Sequence, residues 1–523
     1  MPKPSITRKL PPFLTILVLI PPIWKALQTS ILPLVPAGDD TAYHVYYVIK
    51  ASTNPMEVLN PQNNSQYPNI VHIVLAILFS ATKNHILVAK TLGAWAVASI
   101  AVGFLLHAFL IRRASNSSYV EAASVMLMAL TCYEVLLTLN DGTVMYIFDL
   151  MVLLPLAALA IISEKYLIAG TLLGLSVLSW AGILITSVFL LPLLIASIRK
   201  NNPTKPLLKM LIGTFAGGNI FILKLIAKIF NSLSNETSTA LAGTTPLAPD
   251  FTFRLVILTT SILLAVLMAI IRAHHPAEDL KPLLASWTLI VLGCLIFLLL
   301  STTPLMLNLH ERFVRTAIFL LYIPLCYFFS LLYAKAKDVL PIRMHSPNPL
   351  LLLTLFLVLL FSSQILFYQN IYGYPSGTLQ RLDPQKLEAY AYIRNTILKN
   401  EKDTVILVLH QISPWAKPLL TIPERNISVI VLRPVCINSS ELHNGDTNVI
   451  LTYALESLNA SALKKFGIKY ILVELPYPNQ WYAPTCKSFA YSLWEKDLAP
   501  IADLVYERTY ENWGLRLWKI RYQ

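Results

Sequence analysis

Pro36-Ala37-Gly38-Asp39-Asp40-Thr41-Ala42-Tyr43-His44 follows directly on the first long apolar run of the chain, residues 11–32. Two adjacent acids and a histidine therefore stand at the mouth of an apolar stretch, in a chain that otherwise keeps charge out of such runs. Ionisable groups held at or near bilayer depth are costly and mark function by default. The turn also has a plain structural reading. Asp39 and Asp40 can cap the N-terminus of a surface helix that runs through Tyr43 to Ile49. Which reading holds decides what the rest of the chain is built around.

Composition supports a membrane setting for that turn. Of 523 residues, 55% are hydrophobic and 13% charged, and the mean hydropathy is +0.60. Such values predict a polytopic membrane protein. The net charge of +13 falls largely in short loops placed on the inner side, which is the positive-inside pattern. No basic run with interleaved aromatics occurs, so nucleic acid is not an expected partner; the lipid bilayer is. Five cysteines form neither a CxxC pair nor a zinc spacing. Cys132, Cys294 and Cys326 lie in apolar runs and read as inert packing residues, whereas Cys436 and Cys486 could pair if the tail is outside. Spacing alone leaves that pairing open. Lys3, Arg8 and Lys9 precede the first apolar run and no small-residue cleavage site follows, so it reads as an uncleaved span.

A hydrocarbon core takes roughly 20 apolar residues per helix. By that ruler the fold class is an α-helical polytopic membrane protein of about eleven transmembrane helices with a C-terminal extracytoplasmic α/β domain. The expected spans are 11–32, 86–111, 119–138, 144–162, a short pair within 166–197, one from Leu207, then 251–271, 284–303, 314–334 and 348–368. The first outer loop is 33–85, the membrane domain 1–369 and the outer domain 370–523. Tyr67 to Thr82 is too short and too polar at His72 for a span, and is expected to lie along the outer surface. Making it a span would put Arg112-Arg113 outside, against the charge rule. An odd count leaves the N-terminus cytoplasmic and the tail extracytoplasmic, in a multi-pass protein of the cell membrane. The sequons at Asn63, Asn235, Asn426, Asn438 and Asn459 then all fall outside, and Asn116 alone falls inside.

The tail changes periodicity. Leu387 to Leu398 reads as an amphipathic helix, and Thr404 to Leu409, Ile427 to Leu432, Tyr470 to Val473 and Leu515 to Ile520 read as strands. Ala460 to Phe466 is an expected helix before the third of these.

A resemblance rests on the order of these pieces. A basic N-terminus and one span lead to Gly38-Asp39-Asp40-Thr41-Ala42-Tyr43-His44, then to a surface helix opened by Tyr67-Pro68, then to a span that ends at Arg112-Arg113. Asp141-Gly142-Thr143, the short pair around Trp180 and Glu311-Arg312-Phe313-Val314-Arg315 follow in turn, and the tail carries Leu463-Lys464-Lys465-Phe466-Gly467-Ile468-Lys469-Tyr470. This resembles the GT-C superfamily of integral-membrane glycosyltransferases, the protein mannosyltransferases and oligosaccharyltransferases among them. The resemblance implies transfer of a sugar from a polyprenyl-phosphate or polyprenyl-pyrophosphate carrier to an acceptor protein, glycan or lipid on the outer face. It implies that Asp39 or Asp40 is the first-loop acid, acting as general base or helping to hold a divalent metal (Mg or Mn); Asn140-Asp141 is the nearest match to a second-loop ligand, with Asp141 the candidate. The sequence departs from the pattern in two places: the tail has no Trp-Trp-Asp, and the second outer loop has no Asp-x-Asp.

The chemistry of the residues agrees with that implication on independent grounds. Transfer at an anomeric carbon needs a proton removed from the acceptor hydroxyl, which a carboxylate in hydrogen-bond reach can take. A leaving phosphate needs cations. Arg312 and Arg315, three apart on one helix, can grip a phosphate in a fork, with His310, Glu311 and His44 as further substrate-binding candidates. Each has a bland counterpart: Arg312 and Arg315 as headgroup snorkels, His44 as a packing residue, Asn140-Asp141-Gly142-Thr143 as an ordinary turn. Two other functions compete, a multi-spanning transporter or flippase and a non-catalytic scaffold of the same fold.

Overall fold

The computed structural model describes residues 10–36, 39–55, 70–116, 118–140, 143–179, 182–199, 203–219, 222, 280–300, 304–339, 382–409, 413–432, 447–475, 484–510 and 513–521. The helices are α1 (Leu10–Ser30), α2 (Asp39–Thr53), α3 (Ile70–Thr82), α4 (His85–Ser115), α5 (Ser118–Thr131), α6 (Tyr133–Asn140), α7 (Val144–Ile162), α8 (Tyr166–Leu178), α9 (Gly182–Ile198), α10 (Thr204–Gly218), α11 (Lys281–Leu299), α12 (Pro304–Phe319) and α13 (Tyr322–Val339).

The expectation of eleven spans is corrected. Among the described residues three helices are long and apolar enough to cross a bilayer, α4, α7 and α11. The first run is one continuous 21-residue helix, α1 (Leu10–Ser30), but others are broken where hydropathy registers no break. Residues 119–138 divide into α5 and α6 at Cys132, and 314–334 divide between α12 and α13 at Leu320-Leu321. Within 166–197 each of α8 and α9 is shorter than a bilayer is thick, and α10 has 15 residues. A helix buried among other helices needs the same apolar composition as one buried in lipid, so composition alone overcounts spans. The spans expected at 251–271 and 348–368 lie outside the described residues, as do Cys436 and the side chain of Cys486.

Close backbone approach holds the short helices together. A Cβ on Gly170 of α8 would lie 2.1 Å from the Met210 carbonyl of α10, and one on Gly213 would lie 2.3 Å from the Leu167 carbonyl. Reciprocal glycines let the two backbones touch, which is how helices associate where no hydrophobic gain separates lipid from protein.

The C-terminal part is a five-stranded sheet in the order β2-β1-β3-β5-β4, from β1 (Thr404–Leu409), β2 (Ile427–Leu432), β3 (Ile468–Leu475), β4 (Ala502–Tyr510) and β5 (Trp513–Ile520). β1 pairs in parallel with β2 and β3, while β5 runs antiparallel to β3 and β4. Side chains alternate between the two faces, and both faces are covered. Leu407, Leu409, Ile471 and Val473 enter one core. Ile406, Val408, Tyr470 and Leu472 enter the other, which continues through Tyr390, Trp415 and Leu420 into the helical part. Burial on both faces explains why β1 and β3 are nearly continuous apolar runs.

One buried acid ties that junction. Glu474 of β3 accepts from Lys386 Nζ, from the Tyr390 hydroxyl at 2.7 Å and from Trp513 Nε1 at 2.9 Å. Lys386 and Tyr390 lie on α14 (Pro384–Tyr392). Glu474→Gln keeps the shape but removes the charge facing Lys386 and one acceptor. It is expected to destabilise the fold by about 3–5 kcal/mol, the cost of leaving the buried Lys386 charge uncompensated, read as a lower midpoint in urea.

Candidate functional site

α2 begins at Asp39, so the acidic pair forms the opening turn of a helix, where the helix dipole favours negative charge. Asp40 is half-buried, and the side chain of Asp39 lies outside the described residues. One turn on, His44 is fully buried and its Nδ1 lies 2.9 Å from Nε2 of His72 on α3. The two rings stack with centroids 5.2 Å apart, and Tyr47 tilts against His72 at 5.5 Å. Burial pushes the His44 imidazole down to about 4, so it is neutral at physiological pH. A neutral histidine that shares a hydrogen bond with a second histidine joins α2 to α3; it offers no cation to a phosphate.

α2 is also held from the C-terminal side. Lys417, on the short helix α15 (Ala416–Leu420), places its ammonium 4.3 Å from the Tyr46 ring centre and 5.3 Å from that of Tyr43. The acidic turn thus heads a helix clamped between α3 and the sheet layer.

The second polar centre is on α12. Its anchor is apolar: Phe313 is fully buried and meets Phe297 of α11 with ring centroids 5.1 Å apart, and Trp287 donates to the Ala317 carbonyl at 3.0 Å. With that face fixed, the intervening residues turn toward α6 and α7. Arg315 Nη2 forms an ion pair with Glu311 Oε1 at 2.5 Å, and Arg315 Nη1 donates to the Thr138 hydroxyl at 3.2 Å. The Arg312 guanidinium lies over the Tyr146 ring at 4.7 Å. The Tyr146 hydroxyl donates to the Arg312 carbonyl at 2.8 Å and pairs with the Thr316 hydroxyl. Arg312 Nη1 is buried and makes no hydrogen bond among the described residues. His310 is buried on the same helix and Glu311 is exposed.

Tyr146 belongs to α7, and the next turn of that helix carries Asp149 at the start of a π-helical stretch, Asp149–Leu153. Asp149 is 2% exposed and its Oδ1 has no hydrogen-bond partner among the described residues. The carboxyl packs so closely on Gly182 that a Cβ there would lie 1.7 Å from Oδ2. On the other side of α7, His107 of α4 bonds the Tyr322 hydroxyl at 2.6 Å and the Leu150 carbonyl at 3.1 Å. Asp149 belongs to none of the motifs that mark the candidate site, yet it is the one acid in the 19 residues of α7, and such residues mark function when they occur.

The structure brings Arg312, Arg315, Glu311 and Thr138 into one cluster and His44 into another with His72. α4 is the element the two share, packing against α2 and against α7. Asp141, the residue expected to ligate a metal, lies outside the described residues. Among the described residues no group of three His, Cys, Asp or Glu side chains could hold an ion. No protein-family model and no curated protein matches the chain.

Proposed function

We propose that the chain is a membrane glycosyltransferase that moves a sugar from a polyprenyl-phosphate or polyprenyl-pyrophosphate carrier to an acceptor hydroxyl. The observation that carries this reading is the buried Arg312 Nη1 without a partner among the described residues, on a guanidinium already oriented by Tyr146 and flanked by Arg315. A buried guanidinium nitrogen with no hydrogen-bond partner is costly, and an anion that accepts from it removes that cost. A phosphate does so with the strong, paired hydrogen bonds that arginine favours. The bond from the anomeric carbon to the carrier oxygen breaks as charge passes to that phosphate, where Arg312 and Arg315 stabilise it. The acceptor oxygen forms the new bond at the opposite face of the sugar, and its proton goes to the carboxylate of Asp39 or Asp40. Inversion at the anomeric carbon is the expected outcome. Setting the acids at the head of α2 and the reaction at the outer membrane boundary extends the same proposal.

A second reading has its own support. Asp149 is an acid buried in a helix long enough to span, which also suits a transporter that couples flux to a proton or cation. Purified protein in sealed vesicles, given a labelled polyprenyl-phosphate sugar and a panel of hydroxyl acceptors, distinguishes the two. The transferase forms a glycosidic product with inverted configuration. Label crossing the bilayer with no product formed would overturn the enzyme reading and favour the transporter.

A further inference from the structure

A cavity of about 560 Å³ opens where the end of α3 meets the C-terminal layer. Its floor includes Ile49 of α2 and Phe79 of α3, and its charged lining is one-sided: Lys83, Arg394, Lys399 and Arg425 against the single acid Glu424. None of this overlaps the cluster on α12.

The two guanidiniums are held in place by main-chain carbonyls. Arg394 Nη1 donates to the Leu419 carbonyl at 2.7 Å and lies 3.3 Å from His85 Nε2. Arg425 Nη1 donates to the carbonyls of Leu398 at 3.1 Å and Lys399 at 2.7 Å. Burial lowers the pKa of Arg394; Glu424 opposes that shift and Arg425 adds to it, so cationic charge is crowded here. Lys83 occupies the turn between α3 and α4 in the left-handed conformation, φ 51°, with its ammonium 5.6 Å from the centre of the Phe79 ring. Preset donors and an excess of positive charge in a concave space suit a multivalent oxyanion.

Position narrows its source. The cavity lies at the junction of α3 with the longest span-capable helix, α4. α3 turns Val74 and Ile77 outward, 59% and 72% exposed, while His72, Leu75 and Phe79 are buried. Such a bare apolar face is one that lipid can cover, and a bilayer boundary along α3 would set the cavity at headgroup level. We propose that this cavity is a binding site for a phosphate group at the membrane surface, clasped between the first-loop helices and the sheet layer. Its occupant is the phosphate of an anionic lipid headgroup or free phosphate. The site is independent of the transferase reading.

The test uses the full chain in nanodiscs. In one arm the lipid is phosphatidylcholine with or without phosphatidylglycerol, and retained phosphatidylglycerol is counted by native mass spectrometry. In the other arm the nanodisc is phosphatidylcholine alone and inorganic phosphate is titrated against thermal stability. The main variant is Lys83→Glu with Lys399→Glu. Both lysines are exposed, so the guanidinium–carbonyl bonds stay intact. Replacing two headgroup-level cations by anions is expected to lower anion retention at least about 30-fold. Lys399→Gln is the second variant should the first fail to fold, with a smaller loss in the same direction. A loss confined to phosphatidylglycerol retention assigns the lipid headgroup, and a loss confined to the phosphate-induced shift assigns the free anion. Equal binding by wild type and a folded variant in both arms overturns the proposal.

Discussion

Asn in place of Asp39 or of Asp40, made one at a time, is expected to cut sugar transfer by roughly 10²- to 10⁴-fold at one of the two positions, the range that general-base catalysis supplies. Thermal stability is expected to fall by no more than about 0.3–1 kcal/mol at either position, the share of the helix-dipole interaction that a first-turn charge supplies. The pairing of readouts separates two readings of one turn. The acids form the first turn of α2, which by itself fits charges placed for the helix dipole. That structural role loses little to Asn, whereas a base loses everything, because the amide cannot accept the acceptor's proton near neutral pH. Turnover that survives both replacements, measured as product per folded protein, would reduce the acidic turn to helix architecture and remove the base from the mechanism.

Where the sequence speaks through local periodicity, the structure follows it closely. Thr404 to Leu409 and Ile427 to Leu432 are strands over the residues their patterns mark, and Val144 to Ile162 is a helix over the expected run. β4, by contrast, went unread. It is one of the sheet's two outer strands, with exposed and half-buried residues along most of Ala502–Tyr510, so it lacks the apolar run that marks β1 and β3. The span count failed for the opposite reason, an excess of apolar signal. Leu320-Leu321 and Cys132 are as apolar as their neighbours, yet the helices break there because tertiary contacts decide it. Thr131 bonds the Phe319 carbonyl at 2.9 Å across that very junction.

The site was legible to a similar degree. Arginines three apart on an amphipathic run declared a shared helix face, and both reach one cluster. What the sequence could not supply was the partner. Tyr146, 166 residues upstream, orients Arg312 through ring and hydroxyl together, and no local pattern encodes a pairing of that separation. His44 shows the converse. It reads as a polar residue beside acids, but its place is fixed by His72 and by burial, neither visible from its neighbours.

Replacing Arg312 by Gln tests the phosphate grip, and here function and stability are expected to move in opposite directions. Loss of one charge-assisted anchor at a developing phosphate charge corresponds to about 3 kcal/mol, or roughly 100-fold in kcat/KM for the carrier. Folding is expected to be unharmed. A buried guanidinium nitrogen with no partner among the described residues is a burden on the unliganded protein, and the lost stacking on Tyr146 offsets that relief by about 0.5–1 kcal/mol. The melting temperature of the ligand-free variant should therefore match or exceed that of the wild type, while the rise produced by added polyprenyl phosphate should largely disappear. Arg312→Lys keeps the charge but not the fork, and should recover only part of the lost activity. A structural arginine would behave otherwise, lowering the melting temperature on replacement and leaving the carrier-induced rise in place; that result would detach α12 from the transfer reaction.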